Sequence, residues 1–194
     1  MSGNIGPRGD GYVVGGTMTV DQARGYHAAQ AATFADTEAD LITAMTITTW
    51  EEAAGIVLAA QDHRMPVVIG FTVETDGRLP SQTPLGDAIA RVDDATGAAA
   101  AYYMVNCAHP THFDDTLDPT QPWVTRIRAI RANASTMSHT ELDEAPELDA
   151  GDIPDLAQRY AALRRTFPHI NVLGGCCGTD HRHVGAIAQA VSTS

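Results

Sequence analysis

INVLGGCCGTD, at residues 170–180, is an apolar run that leads directly into two glycines, two cysteines and a third glycine. A short apolar run closed by glycine is typical of a buried strand that ends in a tight loop. Residues 180–191, which follow, have a helical pattern. The sequence therefore predicts a strand over residues 170–173, a loop that carries Cys176 and Cys177, and a helix over residues 180–191.

The same order of strand, loop and helix recurs towards the N-terminus. Further strands are predicted at residues 2–5, 39–46, 66–73, 101–106 and 126–132. Further helices are predicted at residues 20–36, 49–63, 84–95 and 155–167, and the acidic residues 141–155 are interpreted as a solvated loop. Apolar strands that alternate with helices indicate a parallel sheet covered on both faces.

Two closures of such a sheet fit the pattern, a doubly wound open sheet and a (β/α) barrel. No Gly-x-Gly-x-x-Gly turn follows the first strand, which weakens the dinucleotide-binding version of the open sheet. We therefore predict an α/β fold of the (β/α)8 TIM-barrel type and a single domain over residues 1–194. About six βα units are visible, whereas a closed barrel has eight, so the barrel is expected to be incomplete.

The chain opens on a glycine-rich loop at residues 3–16, with no strand and helix before it. About two βα units are therefore expected to be absent from the N-terminal side. Three explanations remain open: a fragment, a mis-assigned start, or a shortened barrel completed by another chain. Since an open sheet exposes its strand edges, a homo-oligomer is one expected arrangement.

Composition excludes several classes of protein. All 12 cationic side chains are Arg, and without Lys neither a Schiff-base aldolase, a pyridoxal-phosphate enzyme nor a Walker loop is available. The net charge of -12 argues against a nucleic-acid partner. With no long apolar run and no signal-peptide pattern, we expect no membrane partner and a cytoplasmic location.

The three cysteines lie at the predicted carboxyl ends of strands. Cys107 follows residues 101–106, as Cys176 and Cys177 follow residues 170–173. These strand ends converge on one face of a barrel, so the thiols are expected to meet there. Three thiolates with an open fourth position suit a catalytic zinc ion, and a substrate thiol can take the open position. Packing of three buried thiols in the core is the alternative, and the residues alone leave both open.

Six-residue GGCCGT, at residues 174–179, resembles the signature of the homocysteine S-methyltransferases, which include betaine-, S-methylmethionine- and cobalamin-dependent enzymes. Asn106-Cys107 resembles the first zinc-ligand motif of this family, and residues 3–10 resemble the loop after its third barrel strand. Residues 66–72, residues 131–135 and His183 resemble its fifth strand, the loop after its seventh strand and the start of its last helix. The resemblance runs through all 194 residues in order.

The resemblance implies a zinc-dependent methyltransferase that transfers a methyl group from a small donor to homocysteine or a related thiol, as in methionine biosynthesis. The implied Zn2+ ligands are Cys107, Cys176 and Cys177, and no catalytic residue is expected beyond the metal site. A small diffusible sulfonium or ammonium compound is the expected donor, since no cobalamin, folate or nucleotide domain is visible.

The expected substrate-binding residues stand at strand ends where the family pattern places polar groups: Asn106, Thr72 and Asn133. The family's fourth strand usually ends in Glu-Thr, and that Glu contacts the amino group of homocysteine. Met45-Thr46 stand at these positions here. A Met cannot accept the hydrogen bond of an ammonium group, an interaction worth about 1.5–3 kcal/mol, so the acceptor need not be homocysteine. The alternative function is a shortened, non-catalytic zinc-binding relative that needs a partner or an oligomer.

Histidines beside the motifs admit two interpretations. His109 and His112 either support the metal site or lie at the surface. His181 and His183, at the start of the last helix, are interpreted as solvent-exposed rather than as a second metal site. We interpret Glu74 as a solvated loop carboxylate rather than as a replacement for the missing acid.

Overall fold

A computed structural model describes residues 1–192 of the chain. Its strands are β1 (Ser2–Ile5), β2 (Leu41–Ile47), β3 (Val67–Phe71), β4 (Tyr102–Asn106), β5 (Ile127–Ala132) and β6 (Val172–Gly175). Its α-helices are α1 (Val20–Ala35), α2 (Trp50–Asp62), α3 (Leu85–Thr96), α4 (His139–Glu144), α5 (Ile153–Thr166) and α6 (His181–Ser192). None of the helices in this described part is both long and apolar enough to cross a membrane.

The strands form one six-stranded sheet in the order β1-β2-β3-β4-β5-β6. Neighbours in the sheet are thus consecutive in the chain, and β1–β2, β2–β3 and β5–β6 pair in parallel. This sequential order is that of a (β/α) barrel, whereas a doubly wound sheet reverses its strand order at a switch point. The predicted α/β fold of TIM-barrel type is confirmed, with six of the eight strands of a complete barrel.

Contacts divide the chain into two compact units. The first comprises Met1–Thr72 and Arg78–Met104, and the second comprises Val73–Gly77 together with the chain from Val105 onwards. The first unit contains β1, β2, β3 and helices α1, α2 and α3, whereas the second contains β5, β6 and helices α4, α5 and α6. The single domain predicted over the whole chain stays a prediction.

In the first unit, the predicted helices are confirmed to within one residue at each end. The predicted range 49–63 includes both caps of α2, because the side chain of Thr49 accepts a hydrogen bond from the amide of Glu52 and His63 is the C-cap. Likewise, Thr19 forms a capping box with Gln22 at the start of α1. Cap residues are only half inside a helix, so sequence patterns readily count them in.

In the second unit, β6 differs from its prediction. It covers Val172–Gly175 rather than residues 170–173, and Gly174 and Gly175 pair with Arg131 and Ala132 of β5. The two glycines therefore belong to the strand, and the bend in the chain comes at the cysteines. A ladder hydrogen bond needs no side chain, so the partner strand decides where β6 ends.

The prediction that residues 141–155 form a loop is wrong for part of this stretch. Residues His139–Glu144 form α4, which begins with a capping box in which Ser138 and Glu141 each accept the other's backbone amide hydrogen. This Ser-x-x-Glu spacing is a known helix start, and the acidic composition concealed it. Helix α5 also begins earlier than predicted, at Ile153, because Asp152 caps it through the amide of Asp155.

Helices α1 and α2 approach each other closely at Gly55. A Cβ placed at this glycine would lie 2.6 Å from the backbone nitrogen of Arg24 and 2.7 Å from the carbonyl oxygen of Val20. Both neighbours are backbone atoms, so neither can move without shifting α1. Gly25, an exposed glycine inside α1, has no atom within 4 Å of the equivalent position.

We predict that Gly55→Ala lowers the free energy of unfolding, whereas Gly25→Ala leaves it unchanged or raises it. Overpacking costs about 1–3 kcal/mol, which exceeds the helix-propensity gain of about 1 kcal/mol that both substitutions share. Urea denaturation followed by circular dichroism measures both values. Equal stability changes in the two variants would contradict the close approach.

Tyr160 connects α5 to the carboxyl ends of β5 and β6. Its hydroxyl donates to the carbonyl oxygen of Gly174 at 2.6 Å and accepts from the amide of Ala132 at 2.8 Å. The side chain is fully buried. Burial is the main reason that the pKa of this phenol lies above its ordinary value.

We predict that Tyr160→Phe lowers the free energy of unfolding by about 1–3 kcal/mol at pH 7, because the amide of Ala132 loses its partner. The raised pKa means that the folded state keeps its proton after the unfolded chain has lost it. Above pH ~10, wild-type stability should therefore fall faster than that of the variant, by up to about 1.4 kcal/mol per pH unit. Parallel denaturation curves from pH 7 to 11 provide the measurement, and a constant difference would contradict it.

Candidate metal centre

The backbone at the carboxyl end of β5 holds the loop that carries Cys107. The amide of Cys107 donates to the carbonyl oxygen of Arg131 at 3.1 Å, and the amide of Asn133 donates to that of Ala108 at 3.1 Å. These bonds continue the alternating pattern of a parallel ladder past the end of β4. The position of Cys107 relative to β5 is therefore set by backbone hydrogen bonds.

The same segment holds the loop that carries the paired cysteines. The amide of Cys176 donates to the carbonyl oxygen of Ala132 at 2.8 Å, and the amide of Ala134 donates to that of Cys177 at 2.9 Å. In addition, the side-chain oxygen of Asn133 accepts from the amide of Cys177 at 3.2 Å. Residues 131–134 thus bind both cysteine loops, one on each side.

A tight turn allows two adjacent cysteines to face one point. The amide of Thr179 donates to the carbonyl oxygen of Cys176 at 3.1 Å, which closes a turn over residues 176–179. Gly178 has a φ of 76° in this turn, a conformation that glycine adopts without steric cost. A Cβ at Gly178 would also press on the side chain of Ala134 at 3.1 Å. The loop that the sequence predicts for Cys176 and Cys177 is therefore a tight turn.

Cys107 has an unusual backbone conformation. Its φ is 55°, in the left-handed region that costs a residue with a side chain of order 1–3 kcal/mol. The side chain is buried, with 5% of the residue exposed. Surrounding hydrogen bonds must hold this conformation, because Cys107 would not adopt it unaided.

The three sulfur atoms form a compact cluster. Cys107 Sγ and Cys177 Sγ are 3.9 Å apart, and all three sulfurs lie within 4.8 Å of one another. Tetrahedral zinc with Zn–S bonds of 2.3 Å separates two sulfur ligands by about 3.8 Å. The spacing therefore fits one metal ion. Cys107 is buried, Cys176 is partly buried and Cys177 is exposed, so a further ligand can approach from the side of Cys177.

Electrostatics also favours a cation at the cluster. Hydrogen bonds with Cys107 and Cys177, followed by burial and the neighbouring sulfur charges, raise the pKa of the Cys176 thiol. Several thiolates held this close together repel one another unless a cation compensates their charge. Sulfur-only donor sets select soft or borderline ions such as zinc over calcium or magnesium. These residues thus fit the zinc ion that the family resemblance implies.

The residues predicted to bind substrate lie in different parts of the structure. Asn106 ends β4 and Asn133 follows β5, and both are buried in the second unit. Asn133 uses its side-chain oxygen to hold Cys177, a scaffold role that the sequence pattern did not separate from substrate binding. Thr72 is a buried residue after β3 in the first unit. Substrate binding by these three residues stays a prediction.

His109 and His112 are both buried, so the surface interpretation is wrong for them. Burial, followed by the charge of Arg159, lowers the pKa of His109 to about 4. His109 is therefore neutral at pH 7. His112 Nε2 donates to the carbonyl oxygen of Thr136 at 2.9 Å. Ala108, Pro110 and Phe113 are buried as well, so the turn after β4 lies inside the protein, which the short motif does not reveal.

His183 is buried as well, which corrects its interpretation as an exposed residue, whereas His181 is exposed as predicted. His183 Nε2 donates to the carbonyl oxygen of Ala150 at 2.8 Å, and its Nδ1 contacts Asp180 at 2.9 Å. Hydrogen bonds from Arg182 and His183 hold the pKa of Asp180 well below its usual range. His183 therefore links α6 to the loop before α5 through its bond to Ala150.

Sequence reasoning missed His139, the first residue of α4. Its side chain is 4% exposed; Nε2 donates to the carbonyl oxygen of Cys107 at 2.7 Å, and Nδ1 lies 3.2 Å from Glu74 Oε1. Glu74 is therefore not the solvated loop carboxylate that was predicted. The Ser138 capping box could have located the helix start, but no local signal indicates a contact with a residue 32 positions earlier.

Comparison with known proteins agrees with this description. The model of the family described as homocysteine S-methyltransferase matches residues 1–191. No curated protein sequence gives a significant match.

Crystal structures of the homocysteine methyltransferase MmuM from Escherichia coli share the fold. The apo form has a TM-score of 0.68 and 16% identity over 97% of this chain and 62% of its own. The metallated form has a TM-score of 0.69 and 17% identity, and the match covers 100% of this chain and 60% of that structure. The oxidized form has a TM-score of 0.70 and 18% identity, and the match covers 92% of this chain and 55% of that structure.

This chain thus spans about three-fifths of the length of that enzyme. At this identity the likeness concerns the fold alone. The family model is the stronger finding, because it covers nearly the whole chain. The protein belongs to the homocysteine S-methyltransferase family.

Proposed function

We propose that the protein is a zinc-dependent S-methyltransferase that transfers a methyl group from a small donor to homocysteine or a related thiol. The observation that carries this proposal is the cluster of three sulfurs within 4.8 Å of one another, in a chain of this family. The chain spans less than two-thirds of the length of MmuM. We therefore propose, rather than transfer from MmuM, the methyltransferase activity of this chain.

In this proposal the three cysteines hold the metal, and the protein needs no separate general base. Zinc, when bound, supplies a Lewis acid that favours the thiolate form of an incoming thiol. The turn over residues 176–179 keeps Cys177 on the exposed side, where the acceptor thiol approaches. Burial of Cys107 limits the access of water from the opposite side.

The predicted substrate-binding residues complete the proposal. Asn133 has its side-chain oxygen on Cys177, which leaves the side-chain nitrogen as the group that would donate to a substrate. Asn106 directly precedes Cys107 and is 1% exposed. Thr72 adds a hydroxyl after β3. Acceptor and donor are expected to be small molecules.

A second candidate function is a non-catalytic zinc-binding relative that needs a partner or an oligomer. Among the described residues, β1 and β6 are the two edge strands of the sheet, and a strand edge is a surface on which a further strand can pair. Zinc binding is common to both candidates. Methyl transfer separates them.

We predict that the reduced protein binds about one zinc ion per chain, through three sulfur ligands. Cys107→Ser, Cys176→Ser and Cys177→Ser should each remove most of the bound zinc, since an alcohol oxygen is a poor ligand beside two thiolates. Zinc content after dialysis against a mild chelator, measured by atomic absorption, tests this. His181→Ala is the matched control, because this exposed histidine lies close to the motif and should leave zinc content unchanged. A serine variant that keeps the wild-type zinc content would contradict the proposal.

We predict that the zinc-loaded protein methylates a thiol with S-methylmethionine, S-adenosylmethionine or betaine as the donor. Transfer of isotope-labelled methyl groups to homocysteine and to simpler thiols is the assay, and Cys176→Ser supplies the inactive control. Zinc-loaded, folded protein that methylates no thiol with any donor would favour the non-catalytic candidate.

We predict that Met45→Glu shifts acceptor preference towards thiols that carry an amino group. A carboxylate at this family position would accept a charge-assisted hydrogen bond from the amino group, worth about 1.5–3 kcal/mol. This free energy corresponds to a change of roughly 10–100-fold in kcat/KM for a thiol that carries an amino group. The ratio of kcat/KM for homocysteine to that for 3-mercaptopropionate measures the shift. Met45→Leu is the control, and an equal ratio in both variants would show that position 45 does not contact the amino group.

A further inference from the structure

The carbonyl group of Cys107 has its own protein partner. The left-handed backbone at Cys107, with a φ of 55°, directs this carbonyl oxygen to within 2.7 Å of His139 Nε2. The amide of the same residue is bonded to Arg131. Both polar backbone groups of this cysteine are therefore held, one by β5 and one by the first residue of α4.

The His139 ring is itself held on both sides. Its Nδ1 lies 3.2 Å from Glu74 Oε1, and the ring is 4% exposed while the Glu74 side chain is 28% exposed. The capping box of Ser138 secures the start of α4, directly before the histidine. With both nitrogens bonded, the ring cannot rotate by half a turn without losing both contacts.

The hydrogen positions follow from the chemistry of the partners. A carbonyl oxygen only accepts, so His139 Nε2 must carry a hydrogen. The contact between Nδ1 and Glu74 Oε1 also needs a hydrogen, which lies between these two atoms. Glu74 therefore fixes the orientation of the ring that supports Cys107, as outer partners of metal sites commonly do.

We infer that His139 and Glu74 are a positioning pair for the metal site, which holds Cys107 in the conformation that brings its sulfur to Cys176 and Cys177. This inference rests on the proposed zinc site. His139 contacts the backbone of Cys107, Glu74 contacts the His139 ring, and neither residue is one of the three sulfur ligands. Its loss should leave the three sulfurs in the chain but lower their affinity for zinc.

The test is a titration of the reduced, metal-free protein with zinc, in competition with a chromophoric chelator. His139→Ala should raise the Kd for zinc by about 10–100-fold, the usual range for loss of an outer partner of a metal site. His139→Gln should recover much of the affinity, because a Gln amide can donate to the same carbonyl oxygen. Glu74→Ala should give a smaller loss than His139→Ala, and Glu74→Gln should stay near wild type.

His169→Ala is the matched control. His169 is also a histidine of the second unit whose Nε2 donates to a backbone carbonyl oxygen, at 3.0 Å, but that oxygen belongs to Val124 rather than to a cysteine. Its replacement should lower thermal stability without weakening zinc binding. A merely structural role for His139 would make the two alanine variants behave alike.

The outcomes separate this inference from the proposed function. If wild type binds zinc and folded His139→Ala binds it equally well, or if His169→Ala weakens zinc binding as much, the positioning role is overturned. If His139→Ala does not fold, unchanged zinc affinity in Glu74→Ala overturns it. A wild-type protein that binds no zinc would refute the proposed function itself, and the positioning role with it.

Discussion

Backbone hydrogen bonds from residues 131–134 to both cysteine loops are the constraint on which the candidate site depends. Four amide–carbonyl bonds of 2.8–3.1 Å continue the ladder beyond the ends of β4, β5 and β6. Because they join main-chain atoms, the alignment they set does not depend on the identity of most side chains. Strand pairing in the second unit therefore also positions the three sulfur atoms.

Each cysteine then departs from strand geometry in its own way. Cys107 takes a left-handed conformation, with its carbonyl group on His139, whereas Cys176 and Cys177 enter a turn that needs Gly178 in a left-handed conformation. These local costs are offset by the surrounding hydrogen bonds. Left without a cation, the converging sulfurs favour their protonated forms, so a metal ion bound as proposed would stabilise the arrangement of the three cysteines.

Sequence patterns located the elements well because apolar periodicity and capping act locally. The helix starts at Thr19 and Thr49 are examples, since each cap bonds to an amide three residues later. The errors arose where a distant partner decides the outcome. Pairing with β5 extends β6 through Gly174 and Gly175, and the loop before α5 buries His183. The contact of Glu74 with His139 spans 65 positions, beyond the range of any local signal.

The amino-acid sequence by itself determined the α/β class, the strand ends that carry the three cysteines, and the glycine that lets the paired cysteines turn. These features depend on side-chain periodicity and on the conformational freedom of single residues, which are properties of short segments. Only the tertiary structure decided that the three sulfurs lie within 4.8 Å of one another and that Asn133 and His139 bond to the backbone of the cysteines. The reason is physical: such distances depend on how separate strands and helices pack, and no short segment contains that information.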